Sequence, residues 1–498
     1  MRLTLGGRGP ALRLRNGEIS NKAEQMIPEG SASMLIGRLD RIPVWSLPGL
    51  FIGVIGLGFL FTFYDIFDIN VSFIQTCIEI VPGCTPESAA DALGLPVLLN
   101  LVGYVIGSLV LCPLADRFGR RDVLLATMLI TGLGSLLNAF VDSYVWFVVA
   151  RTVTGIGIGA DLAVVNTYIG EMAPRQGTAK YTSLIFLFSA VGALVGVWLG
   201  LLLTTPPAPF PLGLPVALAS KDFAWGWRLM YGIGGALAMI GLLLRFQLPE
   251  SPRWLVTRGR IAEAETVVAG MERRAERHAP LGPIKATLPV VARPDLLGYT
   301  AILTSPEYRR RTLVLFAMWF LSYITIYAFA AGFTSVLAAL AYSPPQAGLL
   351  TAIAVFGFVP CALTAYAYGE RMERASWLIA ASLLTLLGSL IVALAGHAMR
   401  LSVIGALIAF YGFNLWVPIA YAWSAESYPT RARTTGFAMV DGVGHLGGGV
   451  GLLFIAPLIP ELGALGALLL ISAFLVLGAA IGQLGTRTRG RILDEVSP

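Results

Sequence analysis

Charge is scarce in this sequence. Asp, Glu, Lys and Arg make up 13% of its 498 residues, about half the ~25% usual in a soluble domain. Histidine occurs 3 times and cysteine 4 times, which leaves little material for a metal site. There is no HExxH, no CxxC pair and no GxxxxGK[ST] loop to cradle phosphates. No plausible nucleophile–base–acid triad appears either. These absences argue against a zinc hydrolase and an ATP-driven pump, and we expect no enzyme activity, no cofactor and no metal.

What is present is apolar length. Hydrophobic residues make up 56% of the chain, and the mean hydropathy is +0.75. Runs of about 20 apolar residues recur, each enough to span the roughly 30 Å hydrocarbon core of a bilayer. They are continuous, whereas the strands of an outer-membrane barrel alternate in polarity. The pattern predicts an all-α membrane protein. Spans are expected at 48–75, 93–112, 122–141, 144–170, 181–203 and 227–247, then at 311–338, 346–368, 375–396, 401–424, 434–457 and 462–484. Clusters such as "VPGCTPES", "TTPPAPFPLG" and "AYSPPQ" separate them. Pro360 and Pro418 fall inside spans and are expected to kink them. The first 40 or so residues are polar and basic without a central apolar region, so no cleavable signal peptide is expected.

The net charge of +6 does not point to nucleic acid, because of where the charges lie. Most Lys and Arg fall in the N-terminal tail, after spans 2, 4, 6, 8 and 10, and in the C-terminal tail. The opposite loops hold Lys221, Arg228 and Arg400. Positive loops favour the cytoplasm, so both termini and the 249–310 segment are expected there, in the plasma (inner) membrane. Cys77 and Cys84 flank "IEIVPG" in the first outward loop, where a disulfide and two free thiols are both open. Cys112 and Cys361 fall in spans, as inert packing residues.

The halves echo each other. "LADRFGRRD" (114–122) after span 2 is matched by "YGERMERAS" (368–376) after span 8, and "GEMAPRQGTAKYTSL" (170–184) by "AESYPTRARTTGF" (425–437). A weak six-span repeat marks a transporter of two like bundles with its site between them. The expected organisation is a tail and lead-in (1–47), a six-helix bundle (48–248), a cytoplasmic linker (249–310), a second six-helix bundle (311–484) and a tail (485–498).

Four motifs carry a family resemblance. "RLDRIPVW" (38–45) is similar to the lead-in of the metabolite-symporter and synaptic-vesicle-glycoprotein-like branch of the major facilitator superfamily. "ADRFGRR" (115–121) resembles that superfamily's loop 2–3 signature, and "RTVTGIGIGADLAVVNTYIGEMAP" (151–174) resembles span 4 of the same branch. "PESPRWL" (249–255) with "RGRIAEAE" (258–265) resembles the segment after span 6 of sugar porters and organic-ion transporters. Cys112 departs from the glycine that usually opens the loop signature, and Thr178 or Ala179 replaces an Arg–Gly pair after span 4. The resemblance implies alternating access with a cytoplasmic lock. Candidates are Asp116, Arg117, Gly119, Arg120 and Arg121, with Glu171, Glu250, Arg253, Glu426 and Arg433. Asp–Arg pairs of this kind form in one state and release in another; the plainer alternative is that the arginines only enforce topology.

Charges within the spans are few and informative. Asp65 and Asp68, in "GFLFTFYDIFDINVSF", share one face of span 1. Arg151 lies ~10 Å inside span 4 at 1.5 Å per residue, at a depth comparable to Asp65, and needs a partner there. The resemblance to proton-coupled sugar porters implies the same pair, with "FYD" (63–65) supplying the acid. A proton on Asp65 would part the pair and free the bundles to rock; a static salt bridge is the alternative. Asp161 follows "GIGIGA", where Gly155 and Gly159 permit close helix approach, and is expected to face the cavity as a substrate or proton contact, with Asn166 beyond it. Asp441 and His445 stand at i and i+4 on span 11. In related organic-ion transporters the place of His445 selects substrate sign.

Tyr323 and Tyr327 on span 7, and Asn414, Trp416 and Tyr421 on span 10, are expected to wall the site. Spans 5 and 7 contain no Gln, so a polyol would leave hydroxyls unpaired. The expected protein is a monomeric proton-coupled secondary transporter, an importer of a small organic metabolite such as a carboxylate. A sugar or polyol porter, a drug-type exporter, and a transceptor or non-transporting binding protein remain as alternatives.

Overall fold

The computed structural model describes residues 29–489 apart from 87, 175–177, 285–297, 397 and 430–431. A short helix, α1 (Glu29–Asp40), precedes the first bundle: α2 (Gly49–Ile80), α3 (Ala89–Phe118), α4 (Arg120–Phe140), α5 (Tyr144–Met172), α6 (Thr178–Thr204) and α7 (Gly226–Arg245). Then come α8 (Pro252–Thr257), α9 (Ile261–Ala275) and α10 (Tyr299–Thr304). The second bundle holds α11 (Pro306–Ala330) and α12 (Phe333–Ala339), α13 (Pro344–Ala354) and α14 (Phe358–Tyr368), α15 (Arg374–Leu394), α16 (Met399–Glu426), α17 (Arg433–Phe437), α18 (Leu446–Ile455) and α19 (Ile459–Gly482).

Among the described residues 11 helical segments are long and apolar enough to cross a membrane. The last, Arg433–Gly482, has 50 residues, ~75 Å at 1.5 Å per residue, and crosses twice. It breaks at Gly463, whose φ is 62°, which makes twelve crossings. Helices prevail because lipid offers no partners to exposed backbone groups. The wheel of α4 shows how a lipid face forms. Leu129, Leu133 and Leu137 are exposed at four-residue spacing, whereas Thr127, Thr131 and Ser135 are buried.

Within the first bundle α2 packs on α6 and α7, α3 on α5, and α4 on α5 and α7. In the second, α15 packs on α16 and α19, and α11 on α18 and α19. The α3–α5 contact is close enough that only glycine fits. A Cβ on Gly107 would run into the Ile156 carbonyl, and one on Gly155 into that of Asn100. Pro360 does distort its span: α13 and α14 are parted by a 3₁₀ turn, Val355–Gly357, around the residue whose carbonyl would clash with the ring. Pro418 lies inside an unbroken α16.

Residues 256–300, rich in Arg, Glu and Ala, read as short amphipathic helices with a solvated charged face, and α9 is such a helix, with one side buried against α1. Arg38 and Arg41 grip the Glu272 carboxylate at 2.7 and 2.6 Å, and Arg253 pairs with Asp40. Cys77 and Cys84 are joined as a disulfide, and Cys112 and Cys361 are free and buried.

Candidate transport site

The two bundles meet at both ends. At the arginine-poor end Asn70 of α2 donates to the carbonyls of Phe329 and Ala330 (3.1 and 2.7 Å) and accepts from the Thr334 hydroxyl (2.7 Å). At the arginine-rich end Thr435 donates to Asp116 (3.3 Å) and Thr434 to the Thr167 hydroxyl (2.9 Å). Between these closures lie two buried clusters.

The first is made of charge. Arg151 Nη1 donates to Asp65 Oδ2 at 3.0 Å, Nη2 donates to the Asp65 backbone carbonyl at 3.1 Å, and Asp68 Oδ1 stands 3.6 Å from Nη1. Side-chain exposures of these three residues are 3% or less. Asn100 caps the Arg151 carbonyl at 2.7 Å, and the guanidinium lies 5.6 Å from the Tyr231 ring centre. Two acids therefore share one base inside the bundle.

The second is aromatic. Tyr323 and Tyr104 both donate to the Asp441 carboxylate, at 2.5 and 2.8 Å. His445 Nδ1 lies 2.7 Å from the Asp441 backbone carbonyl and 3.7 Å from its Oδ1. Tyr421 reaches the Tyr323 hydroxyl at 3.4 Å, Tyr327 meets the His445 ring edge-on at 5.7 Å, and Trp416 joins through Trp319, ring to ring at 4.6 Å. The helix is irregular here: Ala438–Gly442 is a π turn, a feature frequent at functional sites.

Not every expected residue gathers here. Asp161 does not face an open cavity: it is fully buried and bound by Arg245 through both guanidinium nitrogens, with the Thr127 hydroxyl donating at 2.8 Å. A carboxylate that deep is held by whichever cation can reach it, and Arg245, at the end of α7, does. Asn166 donates back to its own helix at Leu162, and Asn414 to the Cys361 sulfur. Tyr104, Arg245, Asn70 and Trp319 were not singled out in the sequence. For Arg245 the signal was there, since an arginine inside an apolar run demands a buried acid; for Tyr104 there was none.

At the arginine-rich end the two halves repeat one device. Arg120 binds Asp116 and Glu171 at 2.9 Å each and donates to the Ala115 carbonyl. Arg374 binds Glu370 and Glu426 at 3.0 and 2.9 Å and donates to the Gly369 carbonyl. Glu250 accepts the backbone N–H groups of Arg120 and Arg121 at 3.1 Å each. That approach requires Gly119, whose φ is 121° and whose missing Cβ would strike Glu250. Burial pushes the Glu250 carboxyl above its usual range, against those N–H groups and Arg120. Arg121 also donates to the Phe246 carbonyl, Arg117 lies over the Phe118 ring, Arg253 pairs with Asp40 of α1, and Arg433 turns to the Tyr428 carbonyl.

Two six-helix bundles, closed on each other around buried charged and aromatic clusters, define a secondary transporter of the major facilitator superfamily. Residues 50–497 match the model of the sugar (and other) transporter family, and the chain belongs to that family. It is 26% identical over 469 residues to the niacin transporter NiaP of Acinetobacter baylyi, covering 93% of this chain and 99% of that one. It is 27% identical over 380 residues to the 4-hydroxybenzoate transporter PcaK of Pseudomonas aeruginosa, covering 74% and 78%. Its fold is similar to that of the xylose transporter XylE from E. coli in a partially occluded inward-open form, with a TM-score of 0.66 at 20% identity over 89% of this chain and 98% of that one.

Proposed function

We propose that this transporter uses a proton gradient to import a small aromatic carboxylate, from a plasma (inner) membrane in which both termini face the cytoplasm. The observation that carries the energising step is the Asp65–Asp68–Arg151 cluster. One guanidinium neutralises one carboxylate, and a second ionised acid beside it in a buried site would be costly. A proton brought to this trio balances its charge, and its departure is felt by α2 and α5 together.

The substrate class rests on the aromatic cluster and on relatives named for niacin and 4-hydroxybenzoate transport. Both compounds are flat rings bearing one carboxylate, and the cluster offers flat rings and tyrosine hydroxyl donors. α6 and α11 carry no glutamine, which disfavours a polyol. The paired networks around Arg120 and Arg374 serve as the cytoplasmic lock. The Cys77–Cys84 disulfide at the opposite end is consistent with an oxidising outer side.

Proteoliposomes loaded at neutral pH and diluted into acidic buffer test the reading. Labelled nicotinate and 4-hydroxybenzoate should accumulate only under the gradient. Asp65→Asn should abolish accumulation while leaving exchange of labelled for unlabelled substrate. Accumulation that ignores the gradient, or survives Asp65→Asn, rejects proton coupling.

A further inference from the structure

Tyr104 stands on α3, in the other bundle from Tyr323, Asp441 and His445. The His445 imidazole stacks on the Tyr104 ring with centroids 3.7 Å apart and 22° between planes. Tyr323 lies against the imidazole at a tilt, with centroids 3.8 Å apart and 34° between planes. Two rings cannot both lie that close to one face of a third without overlapping each other, so His445 is held between them. The same two phenols donate to the Asp441 carboxylate, Tyr104 to Oδ2 at 2.8 Å and Tyr323 to Oδ1 at 2.5 Å, and that carboxylate lies 3.7 Å from the imidazole. A flat ring in a tyrosine slot, with a carboxylate at its edge met by both hydroxyls, has the outline of a small aromatic acid.

We propose that Asp441 and His445 together are a built-in stand-in for the substrate: they fill the ring slot and the hydroxyl pair of Tyr104 and Tyr323 when the empty carrier closes, and a planar aromatic carboxylate displaces both. The proposal rests on the aromatic-acid reading above and makes Tyr104 a specificity-determining residue. Three features favour exchange over permanent packing. The slot's walls belong to different bundles, so alternating access parts them. The donors to Asp441 are neutral hydroxyls, which serve a substrate carboxylate equally well. The helix carrying the stand-in is interrupted by the π turn Ala438–Gly442 and by a turn at His445. Resetting one extra residue to α geometry rotates the rest of that helix by about 100°, enough to carry His445 out of the slot. A carrier that must also close without cargo gains from such a filling, because an empty slot between two rings forfeits their packing.

Equilibrium binding and thermal shift on the purified full chain, with nicotinate, 4-hydroxybenzoate and benzoate as probes, test this. His445→Ala should bind the wild type's aromatic acid about tenfold tighter, because the ring half of the competing occupant is gone, Asp441 alone holds the hydroxyls, and the competent fraction rises. Tyr104→Phe, which keeps the ring and loses one donor, should bind it about tenfold more weakly. Equal or weaker binding by His445→Ala overturns the proposal, as does unchanged affinity in Tyr104→Phe. If neither nicotinate nor 4-hydroxybenzoate binds the wild type, the substrate reading fails by itself. Benzoate binding to His445→Ala but not to the wild type would then still uphold the stand-in, and its failure with both would reject it.

Discussion

A buried charge is defined by its partner, and this chain keeps two such arrangements a few turns apart on α5. Arg151 is shared by two acids, whereas Asp161 has Arg245 to itself. The first holds one carboxylate more than its guanidinium matches; the second is matched one to one. Asp161→Ala should therefore act on stability, leaving Arg245 buried and uncompensated at a cost of ~3–5 kcal/mol. Adding Arg245→Met should recover much of that loss, read as melting temperature in detergent by tryptophan fluorescence. If the double variant melts no higher than the single one, the pair is not a balanced structural unit.

At the scale of elements, α3 and α5 touch backbone to backbone because small residues line their seam. Gly107→Val has to push the Ile156 carbonyl away, and because lipid is as apolar as the side chains, close packing is much of what joins these helices. The variant should yield little monodisperse protein by fluorescence-detected gel filtration, whereas Gly53→Ala, with open space around it, should behave as wild type. The same contact brings Tyr104, three residues before Gly107, to its place in the seam. The contact between α1 and α9 works by charge instead. Burial disfavours the ionised Glu272, but the guanidinium groups of Arg38 and Arg41 outweigh it and hold its carboxyl below the usual glutamate range. A depressed carboxylate contributes stability that is present above its unfolded value, about 4.3, and is lost as the pH falls through the lower folded value. Spin labels on α1 and α9 should keep a short distance at neutral pH and separate in strong acid, and Glu272→Gln should separate them already at pH 7.

Across the whole molecule the bundles share apolar and aromatic contacts, Phe67 on Phe358 and Trp198 on Phe356 among them, and each end is pinned by a small set of hydrogen bonds. Asn70 makes the arginine-poor closure with four hydrogen bonds, two to the end of α11 and two to Thr334 of α12, and Asp116 and Thr167 meet α17 at the other end. Asn70→Ala should bias the carrier toward opening at the arginine-poor end, and Asp116→Asn toward opening at the arginine-rich end. Alkylation of single cysteines placed at each end should shift in opposite directions in the two variants. A shift in the same direction would mean that these contacts stabilise the fold and not a state.

Much of this was written in the order of residues. Apolar runs set the spans, because twenty residues of helix match a bilayer, and the six-span repeat set the bundle count. The Asp65–Arg151 pair was legible because an arginine inside lipid cannot stand alone and one acid lay at its depth. Asp161 was expected to face the cavity because its partner, Arg245, sits 84 residues away at the end of another helix; that arginine demanded an acid, but nothing in the order of residues said which one. Only the packing of one bundle on the other decided which aromatic residues meet, and so which side chains clasp Asp441 and His445. A tyrosine in an apolar helix carries no mark of the ring it will face, because stacking depends on rotation and register between helices far apart in the chain, and those are settled only when the two halves close.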